Sequence, residues 1–321
     1  MKILFLTIHF SEYINLIKNK MIELYDAEVD LLYTDNYLIN PSYILDRITM
    51  GNYRKICDYS VQKSFFKKHA EKKYDIIFVL VGRNLNIEAF SDFIYNQKKA
   101  KKVLYLWDDI KRIDTFKSIK GYFDRIYSFD TEDCEKYSLI HLPLFYCDNY
   151  EFSGEKKVYD VSSIGWLHSE RYNSLVKIKK QCIKNNYRYY LFLKTTFLHY
   201  IRMKSNKQIK DIEIIGYIQK SIKECSDIAK QSKVVVDLPF KTQSGLTIRT
   251  FETLAARAKL VTTNAAIKKY DFYNEQNIYV VENSLINIPQ DFVNTPFIEY
   301  KKTLIEQYSL KNWIRAIIEG V

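Results

Sequence analysis

The feature that most constrains this chain is an alternation of short apolar runs with amphipathic stretches, repeated twice over 321 residues. Runs at Ile3–Ile8, Val29–Tyr33, Ile76–Val81, Val103–Trp107 and Ile126–Phe129 form a first series, with a helix expected over about Ser42–Lys72. A second series follows at Val161–Ile164, Tyr189–Leu193, Ile212–Ile215, Val234–Leu238, Leu260–Thr263 and Ile278–Val281. Near-continuous apolar runs suit strands covered on both faces, and parallel strands need helical crossovers between them. The expected fold is therefore α/β with mostly parallel strands. This length suits two domains better than one core. The proline-containing segment His141–Asp148 closes the first block, and the polar stretch 149–158 reads as a linker. The expected division is 1–150 and 151–303, followed by a helix within 304–321. That helix carries a stripe of Leu310, Trp313, Ile314, Ile317 and Ile318, which fits packing on the second domain.

Composition narrows the class. Five prolines and eight glycines argue against disorder or a modular array. No apolar run approaches the roughly 18 residues that span a bilayer. The opening Met1–Phe10 run lacks a small-residue cleavage site and is followed by Glu12, so it reads as a first strand, and the protein is expected in the cytoplasm. Five scattered cysteines without a Cys-x-x-Cys pair read as buried thiols, and no metal site is expected. A formal charge of +11 fits an acidic partner: nucleic acid, anionic lipid or a phosphorylated substrate.

Residues 244–264 carry the clearest chemistry. A glycine turn (Ser244, Gly245) enters a short helix with Leu246, Ile248, Phe251 and Leu254 as its apolar pattern, and a strand follows. Arg249 and Glu252 sit three residues apart, so they project from nearly one face. Amides at the helix start and Arg249 suit a diphosphate, and Glu252 suits sugar or ribose hydroxyls; the bland alternative is an exposed intrahelical ion pair. Gly82, Gly165, Gly216 and Gly245 all stand at expected strand ends, where backbone can approach phosphate. Lys194 ends the run Tyr189–Leu193 and can act there as a point charge on phosphate.

The segment Arg249-Thr-Phe-Glu-Thr-Leu-Ala255, with Asn264 and Lys269-Tyr-Asp-Phe-Tyr273 behind it, resembles the donor-site helix of GT-B glycosyltransferases of bacterial surface-polysaccharide (capsule or lipopolysaccharide) assembly. Ile164-Gly-Trp-Leu-His-Ser-Glu-Arg171 resembles the strand, glycine and basic turn that open their donor domain. The resemblance implies two Rossmann-like domains facing across a cleft, with the terminal helix crossing back to the first. It implies a nucleotide-sugar donor on the second domain, held by Gly165, His168 or Arg171, Lys194, Gly245, Leu246, Arg249 and Glu252. It also implies a glycan or lipid-linked glycan acceptor, no cofactor and no metal. The retaining version of the motif carries a glutamate seven residues before the second; position 245 is glycine, so the resemblance implies no stereochemical outcome.

A transferase that inverts needs a general base for the acceptor hydroxyl. Asp108 and Asp109 stand after the fourth run, and His9 and Glu12 after the first. Asp109 as a helix N-cap is the alternative. Residues 41–73 hold eight Lys or Arg against three acidic residues, a net of +5, interleaved with Tyr53, Tyr59, Phe65 and Phe66. Such a segment suits an anionic membrane surface on the inner face of the cytoplasmic membrane, or simply a solvated helix. No nucleic-acid motif is present, which disfavours a non-catalytic nucleic-acid- or anion-binding protein. A GT-B-type nucleotide-sugar epimerase stays open beside the transferase.

Overall fold

The computed structural model describes residues 1–35, 48–49, 52–113, 115–206, 208–209, 211–239, 244–281 and 287–320. The chain forms two compact units, Met1–Pro143 with Leu310–Val321, and Leu144–Ser309.

In the first unit β1 (Lys2–Thr7), β2 (Glu28–Tyr33), β3 (Ile76–Leu80), β4 (Lys101–Leu106), β5 (Arg125–Ser128) and β6 (Ile140–His141) make one sheet in the order β2-β1-β3-β4-β5-β6. Every pairing is parallel. The inner runs of β1, β3 and β4 are buried on both faces: Ile3, Leu4, Phe5 and Leu6 have no exposure, and Phe5 stacks on Phe78 at 5.1 Å, whereas the edge strand β2 is mostly half-buried. Helices α1 (Tyr13–Tyr25), α2 (Asn52–Lys68), α3 (Ile87–Tyr95), α4 (Phe116–Ile119) and α5 (Thr131–Tyr137) connect the strands. The terminal helix (Leu310–Glu319) also belongs here. Its whole apolar stripe is buried, with Trp313 against Tyr105 at 4.8 Å, and Tyr127 Oη donates to the Ala316 carbonyl at 3.0 Å.

Helix α2 covers part of the basic stretch 41–73; residues 36–47, 50 and 51 lie outside the described residues. Its aromatic residues turn inward. Phe66 is buried and stacks on Phe93 at 4.9 Å, and Phe65 packs against the same core. Two of the rings expected to meet a membrane are therefore committed to packing, because α2 has an apolar sheet flank to cover.

The second unit holds β7 (Tyr159–Trp166), β8 (Tyr189–Lys194), β9 (Ile215–Gly216), β10 (Ser232–Asp237), β11 (Lys259–Thr262) and β12 (Ile278–Val280), ordered β12-β11-β10-β7-β8-β9 and parallel throughout. Its helices are α6 (Ser169–Lys184), α7 (Phe197–Ser205), α8 (Ile222–Lys230), α9 (Ile248–Ala255), α10 (Gln290–Asn294) and α11 (Lys302–Glu306). The run Ile212–Ile215 yields only a two-residue edge strand. Ile212 is exposed, and Asp211 and Glu213 turn their carboxylates to Lys179.

The stretch 149–158 is more than a polar connector. Lys157 Nζ donates to the carbonyls of Lys230 (2.8 Å), Ala256 (3.1 Å) and Arg257 (2.8 Å), closing the C-terminal ends of α8 and α9 together. Burial lowers its pKa to about 8. The expected single helix over Leu304–Glu319 is broken at Tyr308–Ser309. There the Tyr308 carbonyl accepts from Tyr146 N at 2.9 Å and Ser309 bridges Tyr146, an extended pairing that a helix cannot make. Of the five cysteines, four are buried, Cys57 is half-buried, and all are free thiols. Among the described residues no helix is long and apolar enough to cross a membrane.

Strand order locates the ligand-binding ends. In an open parallel sheet the crevice lies at the carboxyl ends of the strands where the order reverses. In the first unit that point falls between β1 and β3, and in the second between β7 and β10.

Candidate functional site

At the reversal point of the second unit the structure gathers four polar side chains from three segments. Arg171, on the first turn of α6, folds back over the sheet. Its Nε and Nη2 donate to the Leu238 carbonyl at 3.1 and 2.6 Å, and Nη1 donates to the Trp166 carbonyl at 2.9 Å. Gly165 makes this possible: a Cβ there would lie 3.1 Å from Arg171 Cδ and 3.2 Å from Nη1. Asp237, the last residue of β10, is buried and accepts a short hydrogen bond from the Thr247 hydroxyl. Burial raises its pKa, opposed by that hydroxyl, by Arg249 and by Arg171. Burial likewise lowers the pKa of Arg171; Asp237 opposes this and Arg249 adds to it. A buried carboxylate thus lies within electrostatic reach of two guanidiniums, Arg171 and Arg249.

Helix α9 behaves as its sequence suggests in outline and differs in detail. Thr247 occupies the N-cap position yet does not cap with its side chain, because its hydroxyl goes to Asp237. Arg249 Nη1 lies 3.2 Å from Glu252 Oε2, and Glu252 has no exposed surface. The pair is therefore a buried one and not a solvated intrahelical contact. Removing either partner of a buried pair leaves an uncompensated charge, which is the costly case. Gly245 and Leu246 are buried in the turn before the helix. Asn264, after β11, fixes that turn by donating through Nδ2 to the carbonyls of Gly245 (3.1 Å) and Ser244 (3.3 Å).

His168 is the N-cap of α6, its Nδ1 accepting from Arg171 N at 3.3 Å. Burial, and then Arg171, lower its pKa to about 4, so the ring is neutral. It acts here as a helix cap, and Arg171 is the cation of the pair. Lys194 ends β8 and lies over the Trp166 ring at 4.1 Å, a cation–π contact at the next strand. Asp237 and Thr247 escaped the sequence reading. The signal was present: an acidic residue closing the apolar run Val234–Val236 needs a partner if it is buried.

The first unit assembles different chemistry at its own reversal point. After β1, His9 Nδ1 lies 2.9 Å from Asp35 Oδ1, which also accepts from His9 N at 2.8 Å. The imidazole stacks on Tyr33 at 3.5 Å. A carboxylate accepting from Nδ1–H fixes the ring and its tautomer and makes Nε2 the proton-accepting nitrogen, the arrangement of a general base. Glu12 is exposed at the start of α1, where its carbonyl accepts from Asn15 N at 3.1 Å. After β3, Val81 and Gly82 have φ of 74° and 76°, and Asn84 has 56°. Hydrogen bonds from Thr115 to the Gly82 carbonyl (2.6 Å), Thr34 to that of Arg83 (3.0 Å) and Gln62 to that of Asn84 (2.8 Å) hold this loop. A β-branched residue in the left-handed region persists only where surroundings dictate it.

Asp108 and Asp109 stand one strand away, after β4. Asp108 Oδ2 is 3.1 Å from Arg83 Nη2, which compensates its charge. Asp109 holds the N-cap position of a 3-10 turn without capping through its side chain, and lies 3.8 Å from Arg112. Burial and then Asp130 raise its pKa. Asp35 is the partner of His9 that sequence reading missed, since nothing in the spacing of the two residues pairs them.

No protein-family model and no curated protein sequence matches the chain. Solved structures do. HepE from Anabaena, in complex with UDP-glucose, is similar with a TM-score of 0.61 at 10% identity, covering 100% of this chain and 99% of that one. The UDP-forming α,α-trehalose-phosphate synthase of Burkholderia xenovorans gives 0.59 at 11%, covering 99% of each. UDP-GlcNAc 2-epimerase of Methanocaldococcus jannaschii gives 0.55 at 11%, covering 100% of each. Likeness at such identities defines the fold. This chain has the GT-B architecture, an α/β fold with a six-stranded parallel sheet in each of two units.

Proposed function

We propose that the protein is a glycosyltransferase, moving a sugar from a nucleotide-sugar donor to a hydroxyl of a glycan or lipid-linked glycan in bacterial surface-polysaccharide assembly. The observation that carries this reading is the Arg171–Asp237–Arg249 cluster at the reversal point of the second unit. Preplaced cations stabilise the charge that develops on a departing nucleoside diphosphate, and a site already holding them has little to reorganise. Arg249 and Lys194, with amides around Gly165 and Gly245, take the diphosphate, in the role a metal ion fills elsewhere. Glu252 fixes Arg249. The second unit is the donor side, and the first unit supplies the acceptor side and the base. His9 is the preferred base because Asp35 orients it, whereas Asp108 is already paired with Arg83. The protein works in the cytoplasm, with the acceptor presented at the membrane.

The fold shared with an epimerase supports a second reading, in which the same donor is processed without any acceptor. A thermal-shift screen against UDP-, GDP-, CMP- and dTDP-sugars tests the donor assignment: a stabilising sugar nucleotide is expected, and no response to any of them overturns it. Incubating the stabilising donor alone then separates the readings. An epimerase converts or hydrolyses it at full rate, and a transferase leaves it essentially intact.

A further inference from the structure

Helix α7 is amphipathic in the wrong sense for a globular surface. Its inward face contributes Met203 to the core, while Phe197, Leu198 and Ile201 point to solvent, Leu198 with 73% of its surface exposed. At 100° per residue these three form a stripe about a quarter of the circumference wide, with Lys204 on one border and Arg202 on the other. The patch continues beyond the helix. Phe197 and Tyr200 meet the exposed Tyr217 ring at 6.2 and 5.9 Å, and Ile218 beside it is 82% exposed.

We propose that this face of the second unit, Phe197, Leu198, Ile201 and Ile218 rimmed by Arg202 and Lys204, seats on an anionic lipid surface. Aromatic and aliphatic side chains interleaved with cations suit the boundary between headgroups and acyl chains. Neither Arg202 nor Lys204 forms an ion pair among the described residues, and the acids Asp211 and Glu213 are spent on Lys179. A second copy of the chain fits poorly, because a two-fold contact would set these cations against themselves. The inference stands on surface chemistry alone and does not need the transferase reading.

Vesicle flotation with the full chain, without any sugar nucleotide, tests it. The protein floats with vesicles containing phosphatidylglycerol, does not float with phosphatidylcholine alone, and is released as salt rises. Leu198→Glu with Ile201→Glu lowers binding about tenfold or more. Ile218→Glu, outside the helix, lowers it independently, which guards against a local folding defect in α7. Arg202→Glu with Lys204→Glu removes the preference for anionic lipid. Ile56→Glu, on the exposed face of α2, leaves binding unchanged. Absence of binding to anionic vesicles, or full binding by the Leu198/Ile201 variant, overturns the proposal. So does loss of binding in Ile56→Glu alone, which places the contact on the basic helix. Sedimentation showing a dimer that the Leu198/Ile201 variant splits also overturns it, in favour of self-association.

Discussion

The two units share an architecture and differ in what each places at the point where its strand order reverses. Both are six-stranded parallel sheets, yet the first runs β2-β1-β3-β4-β5-β6 and the second β12-β11-β10-β7-β8-β9. In the second unit the reversal gathers Arg171, Asp237, Thr247 and Arg249, with Arg171 held on backbone carbonyls and Arg249 beside the buried Glu252. In the first it gathers a His9–Asp35 pair beside a strained loop at Val81–Asn84. On the proposed reading one end holds an anion and the other moves a proton. Fold alone decides neither; the residues at the strand ends do.

The sharpest way to break this contrast is to exchange the candidate bases. His9→Gln is expected to lower turnover about 10²- to 10⁴-fold while leaving donor affinity unchanged. Asp108→Asn, which removes half of a partly exposed ion pair, is expected to cost less than about tenfold. Steady-state rates with calorimetric donor affinities check both. If Asp108→Asn is the more damaging variant, the base belongs to β4 and the reversal-point argument fails for the first unit.

The second unit offers a test in which two explanations predict opposite signs. Arg249→Ala removes a charge-assisted contact and is expected to weaken nucleoside-diphosphate binding about 10- to 100-fold. Asp237→Asn removes a negative charge beside the same phosphates, so simple charge counting predicts tighter binding. If Asp237 instead holds Arg171 and Arg249 in place, binding weakens about tenfold, since two guanidiniums then repel without their shared carboxylate. Calorimetry on the two variants decides. Tighter binding in Asp237→Asn would reject positioning.

What could be read from the sequence follows from which interactions are local. The apolar runs appear where expected because buried parallel strands are apolar on both faces, as Ile3–Leu6 shows. The helix bearing Arg249 and Glu252 was likewise visible from spacing. Strand order was not, because it depends on where each crossover lands, and so the reversal points were hidden. The pairing of His9 with Asp35, and of Asp108 with Arg83, spans a crossover in each case. Phe65 and Phe66 read as surface aromatics because their helix is otherwise basic; the core they cover belongs to another element. The break at Tyr308 depends on a partner, Tyr146, more than 150 residues earlier.

The smallest expected effect concerns His168, where a variant separates a structural from a phosphate-binding role at the edge of the proposed donor site. Its Nδ1 accepts from Arg171 N, so a second proton would abolish the cap. Burial and the Arg171 guanidinium lower its pKa to about 4, against about 6.5 in an unfolded chain. Between those values the unfolded chain binds a proton that the folded chain refuses. Folding stability from this residue is therefore complete above about pH 6.5 and declines as pH falls toward about 4. His168→Asn keeps an acceptor for the cap and does not titrate. Thermal melts across that window are expected to show a shallower loss on acidification in His168→Asn, with donor affinity at neutral pH unchanged. An equal slope in both proteins removes His168 as the source. A lost donor affinity returns it to the phosphate site beside Arg171.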